Sequence, residues 1–337
     1  MTMRAWGWDD GWEAAWADSG AGDSGRVPGR VVRVDRGSVE VVTAAGDRRV
    51  RVDGAAVGDW VAVAEDGRGD LLDRRTVLAR ASVGRDSGEQ LLAANVDLIG
   101  VVEPLRPTAN PRRVERLLTL AWAGGAPPVV VLTKADLAEP GAGDPVRSVA
   151  VGAEVAEVST VTGQGIDEVR ELVRGRTFAL VGPSGAGKSS LVNALAGEQL
   201  VETGEVRGDG RGRHTTTAGT LIALPGIGWL VDTPGLRTVG MTGAEDGLDR
   251  AFADIADLAE DCRFADCAHR SEPGCAVLAA VDDGSLDPAR LDSYRRLERE
   301  IASQARRRES KDRAAERRDG RAHARGVREV MAAKNRR

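Results

Sequence analysis

Residues 182–189 read Gly-Pro-Ser-Gly-Ala-Gly-Lys-Ser, which fits the spacing G-x-x-x-x-G-K-[ST]. The glycines Gly182, Gly185 and Gly187, with Pro183, Ser184 and Ala186 between them, let backbone N–H groups close around the α and β phosphates of a nucleotide. The helix expected to follow, with Ser190 in its first turn, aims its positive end at the same anion. Lys188 is placed to reach the β and γ phosphates, and the Ser189 hydroxyl to ligate Mg²⁺.

Two further segments read the base. Thr133-Lys134-Ala135-Asp136 ends an apolar run. The Asp136 carboxylate accepts from both N1–H and N2–H₂ of guanine, donors that adenine lacks, and the Lys134 stem can lie along the base plane. Ser159-Thr160, opening Ser-Thr-Val-Thr-Gly-Gln-Gly, is similar to the loop that offers a backbone N–H to guanine O6 in GTPases. Beside a phosphate loop, the pair points to GTP and not ATP.

Asp232-Thr233-Pro234-Gly235 ends another apolar run. It places Asp232 to hold Mg²⁺ through water and the Gly235 N–H to sense the γ-phosphate. Between this motif and the phosphate loop, VETGEVRGDGRGRHTTTAG is rich in glycine and reads as a loop able to close. One of Thr215, Thr216 and Thr217 is expected to meet Mg²⁺ on closure, and Thr216 is favoured. Leu236 follows, where many GTPases carry a water-orienting Gln, so slow intrinsic turnover is expected.

All three cysteines, Cys262, Cys267 and Cys275, fall within fourteen residues and enclose His269. Three thiolates and one imidazole complete a tetrahedron with no open position, which is the composition of a structural zinc site. Clustering of this kind points to a metal and not to a disulfide framework.

The elements that must position these groups are legible in the pattern. Residues 1–29 read as an N-terminal extension whose Gly/Ser/Asp stretch has linker composition, with Trp12 and Trp16 on one helix face for local packing. Short alternating β-branched segments over 30–80, punctuated by turns, predict five strands of a small antiparallel OB-type β-barrel. From 81 to 246 apolar strands alternate with helices, as in a mostly parallel sheet covered on both faces. The remainder, 247–337, reads as a zinc-binding helical domain with a basic C-terminal arm. The expected fold is therefore multidomain α/β.

With 337 residues, 42% of them hydrophobic and 29% charged, the chain exceeds one small module and can bury a real core. No apolar run approaches the length of a membrane span and no secretory leader is apparent, so a cytoplasmic protein without membrane contact is expected. Residues 295–337 hold 16 Lys/Arg against 7 Asp/Glu, a basic arm on an acidic body whose overall net charge is −5. Such an arm is either a solvated helix or a contact to phosphate backbone.

The guanine-reading motifs at 133 and 159 precede the phosphate loop, whereas GTPases usually place them after it, so the sequence is a circular permutation. With the preceding barrel and the cysteine cluster, this order resembles the small-subunit-dependent bacterial GTPases of the RsgA/YjeQ family over roughly residues 30–300. The strings that carry the resemblance are GDWVAV, EQLLAANVD, PVVVLTKADL, GPSGAGKSSLVN, GRHTTT, VDTPG and the zinc pattern with Glu272-Pro273-Gly274. It implies GTP hydrolysis stimulated by the 30S subunit, late subunit maturation, 16S rRNA as partner, Mg²⁺ with GTP, one structural Zn²⁺, and a monomer. It also implies that His214 helps position the attacking water, joining Lys188, Thr216 and Gly235 as catalytic candidates.

Two positions depart from the family. Thr133 stands where Asn is usual and lacks the amide that bridges to the base and to neighbouring loops, so lowered nucleotide affinity is expected. Thr160 stands where Ala is common. Leu236 keeps open an alternative: a slow GTP-gated RNA-binding switch or scaffold whose turnover carries no function.

Overall fold

The computed structural model describes residues 2–35, 37–81, 89–201, 219–232, 244–307, 309–310 and 313. The barrel is built from β1 (Val27–Asp35), β2 (Ser38–Thr43), β3 (Gly46–Val50), β4 (Trp60–Val63) and β5 (Gly69–Leu71). β1 pairs antiparallel with both β2 and β4, β2 continues to β3, and β4 to β5. A parallel bridge between Arg51 and Arg68 then closes the ring in the order β1-β2-β3-β5-β4, that of an OB-type barrel. Val31, Val39, Val41, Val50, Val61 and Val63 fill its interior. These are the inward members of the alternating pattern.

The last segment expected in the barrel divides. Chain after β5 leaves the barrel because Arg74 turns back to grip the fully buried Asp59 carboxylate with two bonds of 2.7 Å and donates to the Gly54 carbonyl. Among the described residues the strand that follows, β6 (Val77–Ala81), pairs only with β7 (Glu89–Ala94), and Leu78, Leu92 and Ala93 pack into the core of the nucleotide-binding half. The expected boundary at residue 80 thus runs through β6.

The parallel sheet comprises β8 (Leu98–Pro104), β9 (Pro128–Thr133), β10 (Glu154–Glu157), β11 (Arg176–Val181) and β13 (Gly228–Asp232), in the order β10-β9-β8-β11-β13. β12 (Thr220–Leu224) adds antiparallel to β13 and touches β1 through Thr220 and Arg33, so the barrel and the parallel sheet are hydrogen-bonded into one surface. Helices cover both faces. Ile99, Val101, Val130 and Leu132 point toward α2 (Pro111–Ala123), while Leu98, Val102, Val129, Val131 and Phe178 point toward α4 (Ile166–Val173) and α5 (Lys188–Ala196). Strands buried on both faces have to read as continuous apolar runs, as these do.

The N-terminal region is packed. Asp9 caps α1 (Asp10–Ser19) by accepting from Trp12 N at 2.7 Å, and Trp8 and Trp12 lie 4.8 and 5.9 Å from the Trp60 ring of the barrel. Trp12 therefore packs beyond its own helix. The stretch with linker composition contains a helical turn at Gly22–Ser24 and a buried Ala21. Beyond residue 244 the described chain is helical: α6 (Glu245–Ala251), α7 (Ala253–Glu260), α8 (Ala276–Asp282) and a long helix over 288–307. α3 (Asp144–Arg147) is a single turn beside α2.

Arg290, on that long helix and 5% exposed, ties the helical region to the sheet. It donates to Glu115 of α2 at 2.8 Å, to both Asp254 oxygens at 2.8 and 3.0 Å and to the Ala251 carbonyl at 2.7 Å, with its guanidinium 4.0 Å from the Phe252 ring centre. Among the described residues no helix is long and apolar enough to cross a membrane.

Candidate nucleotide site and metal centre

The sheet topology brings the motifs together. β8, β9, β10, β11 and β13 run in one direction, so the phosphate loop after β11, Asp232 at the end of β13, Thr133 at the end of β9 and Ser159 after β10 all lie along one edge. Ligands of open α/β sheets bind outside this carboxyl edge.

The phosphate loop needs glycine at two positions for identifiable reasons. A Cβ on Gly182 would stand 2.1 Å from the Val102 carbonyl oxygen of β8, so only glycine lets the loop leave the sheet there. Gly187 caps α5 at φ +88 with no side-chain cap, which leaves the first N–H groups of the helix for a phosphate. Lys188 Nζ donates back across the loop to the Gly182 and Pro183 carbonyls at 2.9 and 2.7 Å. Ser189 and Ser190 are half-buried in the first turn of α5, and Ser184 and Gly185 are exposed at the loop's crest.

Thr133 is 2% exposed, and its hydroxyl donates to the Ala186 carbonyl at 2.6 Å. The bridge to a neighbouring loop that a threonine was expected to forfeit is therefore present, made by a hydroxyl in place of an amide. Lys134 follows in the left-handed region at φ +62, which turns the chain sharply and leaves Asp136 exposed in a short helical turn. The segments that carry Asp136 and Ser159 are joined through their backbones, Ala135 N to Val158 O at 3.1 Å. Ser159 is fully buried, and its Oγ accepts from Val161 N at 3.2 Å and Thr162 N at 3.1 Å, holding the loop that half-buried Thr160 begins. Glu103, buried at the end of β8, accepts from Arg113 through both oxygens (2.8 and 2.6 Å) and from Asn110 N, fixing the adjoining loop on the same edge.

Asp232 is exposed at the tip of β13. Thr215, His214, Thr216, Thr217, Gly235 and Leu236 lie outside the described residues, as does the arm beyond 313. Ser189 and Asp232, a hydroxyl and a carboxylate at the ends of neighbouring elements, offer hard oxygen donors of the kind Mg²⁺ takes.

At the other site the ligand atoms of Cys262, Cys267, His269 and Cys275 all lie within 4.8 Å of one another. His269 presents Nδ1, at 3.6 Å from Cys262 Sγ and 3.4 Å from Cys275 Sγ, and those two sulfurs are 3.8 Å apart. Three soft thiolates and one imidazole at these spacings fit a structural Zn²⁺. Burial lowers the His269 pKa, favouring the neutral ring that binds metal. Cys275 also caps α8, accepting from Leu278 N at 3.4 Å. Glu272 braces the loop between the ligands, and backbone N–H groups, foremost those of Arg270 and Ser271, pull its carboxyl down to about 2.

Sequence reasoning passed over Arg290, Glu115 and Asp254, because partners 175 and 36 residues apart leave no local signal. Glu103 did have one: a lone carboxylate inside an apolar strand.

A phosphate loop on β11, base-reading loops on strands that precede it in the chain, and a strand order that restores them to one edge define a circularly permuted P-loop GTPase. A family model described as RsgA GTPase matches residues 71–242, and one described as 50S ribosome-binding GTPase matches 177–311, starting at the strand where an unpermuted GTPase would begin. The "Small ribosomal subunit biogenesis GTPase RsgA" of Streptomyces coelicolor is 49% identical over 323 residues, covering 88% of this chain and 86% of that one. Its namesake in Xanthomonas axonopodis is 42% identical over 327 residues, 90% of each chain. The crystal structure of YjeQ from Thermotoga maritima superposes with a TM-score of 0.63 at 27% identity, over 82% of this chain and 99% of that one. The chain belongs to the RsgA GTPase family.

Proposed function

We propose that the chain hydrolyses GTP during late maturation of the 30S ribosomal subunit, binding 16S rRNA and leaving when the subunit stimulates hydrolysis. The observation that carries this reading is the single sheet edge on which Asp136, the 159–164 loop, Lys188, Ser189 and Asp232 converge. Its direction toward the small subunit is supported by relatives named for small-subunit biogenesis.

In this reading Asp136 selects guanine and the start of α5 receives the phosphates. Lys188 exchanges its two loop carbonyls for β and γ oxygens. Ser189, Asp232 and Thr216 would hold Mg²⁺, which neutralises charge on the phosphates when bound. Gly235 senses the γ-phosphate, and His214 orients water in place of the missing Gln. The protein works as a cytoplasmic monomer.

A second reading, a slow GTP-gated RNA-binding switch, is favoured by Leu236 alone. GTP turnover with and without purified 30S subunits separates the two: strong stimulation supports the first, and GTP-dependent subunit binding without stimulation supports the second.

A further inference from the structure

Thr133 is fastened on two sides. Its hydroxyl donates to Ala186 O at 2.6 Å, and its carbonyl accepts from Leu105 N at 2.9 Å. The side chain also lies against the start of α5, since a Cβ on Gly187 would be 3.7 Å from Thr133 Oγ1 and 3.9 Å from its methyl. The last residue of the base-reading strand thus grips the phosphate loop at the residues just before Lys188.

A hydroxyl carries one proton. With that proton held by Ala186, Thr133 has only lone pairs to offer any other group. The imidazole edge of a purine, at N7, likewise presents only a lone pair, so the two cannot bond. Guanine's donors, N1–H and N2–H₂, lie on its opposite edge, where a carboxylate such as Asp136 can accept them.

Resting on the reading of this edge as a guanine-nucleotide site, we infer that Thr133 is a positioning residue for the phosphate loop that makes no contact with purine N7, leaving base selection to Asp136 and the 159–164 loop. Two consequences separate this from a merely structural role. Nucleotides that lack N7 bind as well as those that have it, and the hydroxyl, not the methyl, sets affinity through the phosphates.

The test is calorimetric binding of GDP and 7-deaza-GDP to the full chain, to Thr133→Ser and to Thr133→Val. The unsubstituted protein binds both nucleotides within about twofold, and Thr133→Ser stays close to it. Thr133→Val leaves the buried Ala186 carbonyl without its donor and weakens both by about tenfold, with their ratio unchanged. A preference for GDP of about tenfold in the unsubstituted protein that Thr133→Val removes would overturn the inference, since a hydrogen bond to N7 has that size. So would a Val variant that binds as tightly as the parent, or a Ser variant as weak as Val. A protein that binds neither nucleotide would bring down the guanine-nucleotide reading itself, whereas binding of GDP with a failed comparison overturns this inference alone.

Discussion

The Arg30 guanidinium of the barrel donates to the Thr177 hydroxyl of β11 at 2.6 Å, from a position only 1% exposed. It also donates to the Trp6 carbonyl and lies 5.1 and 5.6 Å from the ring centres of Trp60 and Trp229. Thr177 begins the strand that ends in the phosphate loop, and Trp229 the strand that ends in Asp232. One buried cation therefore joins the N-terminal segment, the barrel and the roots of the strands that end in the 182–189 loop and in Asp232. Burial lowers its pKa to about 10, which still leaves it charged at neutral pH.

Arg30→Ala removes the strut and opens a cavity among the tryptophans. It should cost about 2–4 kcal/mol and free the β1–β12 junction. Hydrogen exchange reads both effects, as lost protection at Val31, Arg33 and Thr220. Protection equal to that of the parent would show that the barrel is held by other contacts.

Arg290 is the corresponding anchor for the helical region. Glu115→Ala leaves a buried guanidinium short of one carboxylate, at a cost of about 3–5 kcal/mol, and should lower the unfolding midpoint in urea. Exposed Arg174→Ala, whose partner Glu171 is in solvent, should leave it nearly unchanged.

How far these features were legible depended on their sequence span. The phosphate loop, the Thr133–Asp136 turn and the zinc ligands each fit within a short window, and the alternation of apolar runs with helices located β8 through β13. The fate of Thr133 was not legible: its hydroxyl partner, Ala186, is 53 residues away, and only the parallel neighbours β9, β8 and β11 bring the two within reach. The break between β5 and β6 escaped for a similar reason, because Arg74 reaches a carboxylate 15 residues back and residue patterning cannot register that bond.

Removal of the metal should act locally. Chelation should release one zinc per chain and cost helical circular dichroism from α8, whose cap Cys275 is also a ligand, while GTP binding persists at the sheet edge. Unchanged helix content in the zinc-free protein would contradict this.

The Asp9–Arg75 pair gives a pH signature. Its hydrogen bonds to Arg75 hold the Asp9 carboxyl below its ordinary value of 3.8. That contribution is complete above 3.8 and is lost as pH falls through the lower folded-state value. Asp9→Asn should therefore melt below the parent at pH near 7, and the gap should close as pH falls below 3.8. A gap independent of pH would show that the charge of Asp9 does not account for the difference, since the oxygen that caps α1 is present in both side chains.

In the proposed function, the edge carrying Lys188 hydrolyses GTP in response to the small ribosomal subunit. GTP turnover measured for the purified protein alone, with 30S subunits, and with Lys188→Ala in both conditions tests it most directly. Slow turnover alone, strong stimulation by 30S, and loss of both in the variant, whose far-ultraviolet spectrum stays that of the parent, are the expected results. Turnover that 30S does not raise, or that Lys188→Ala retains, would contradict it.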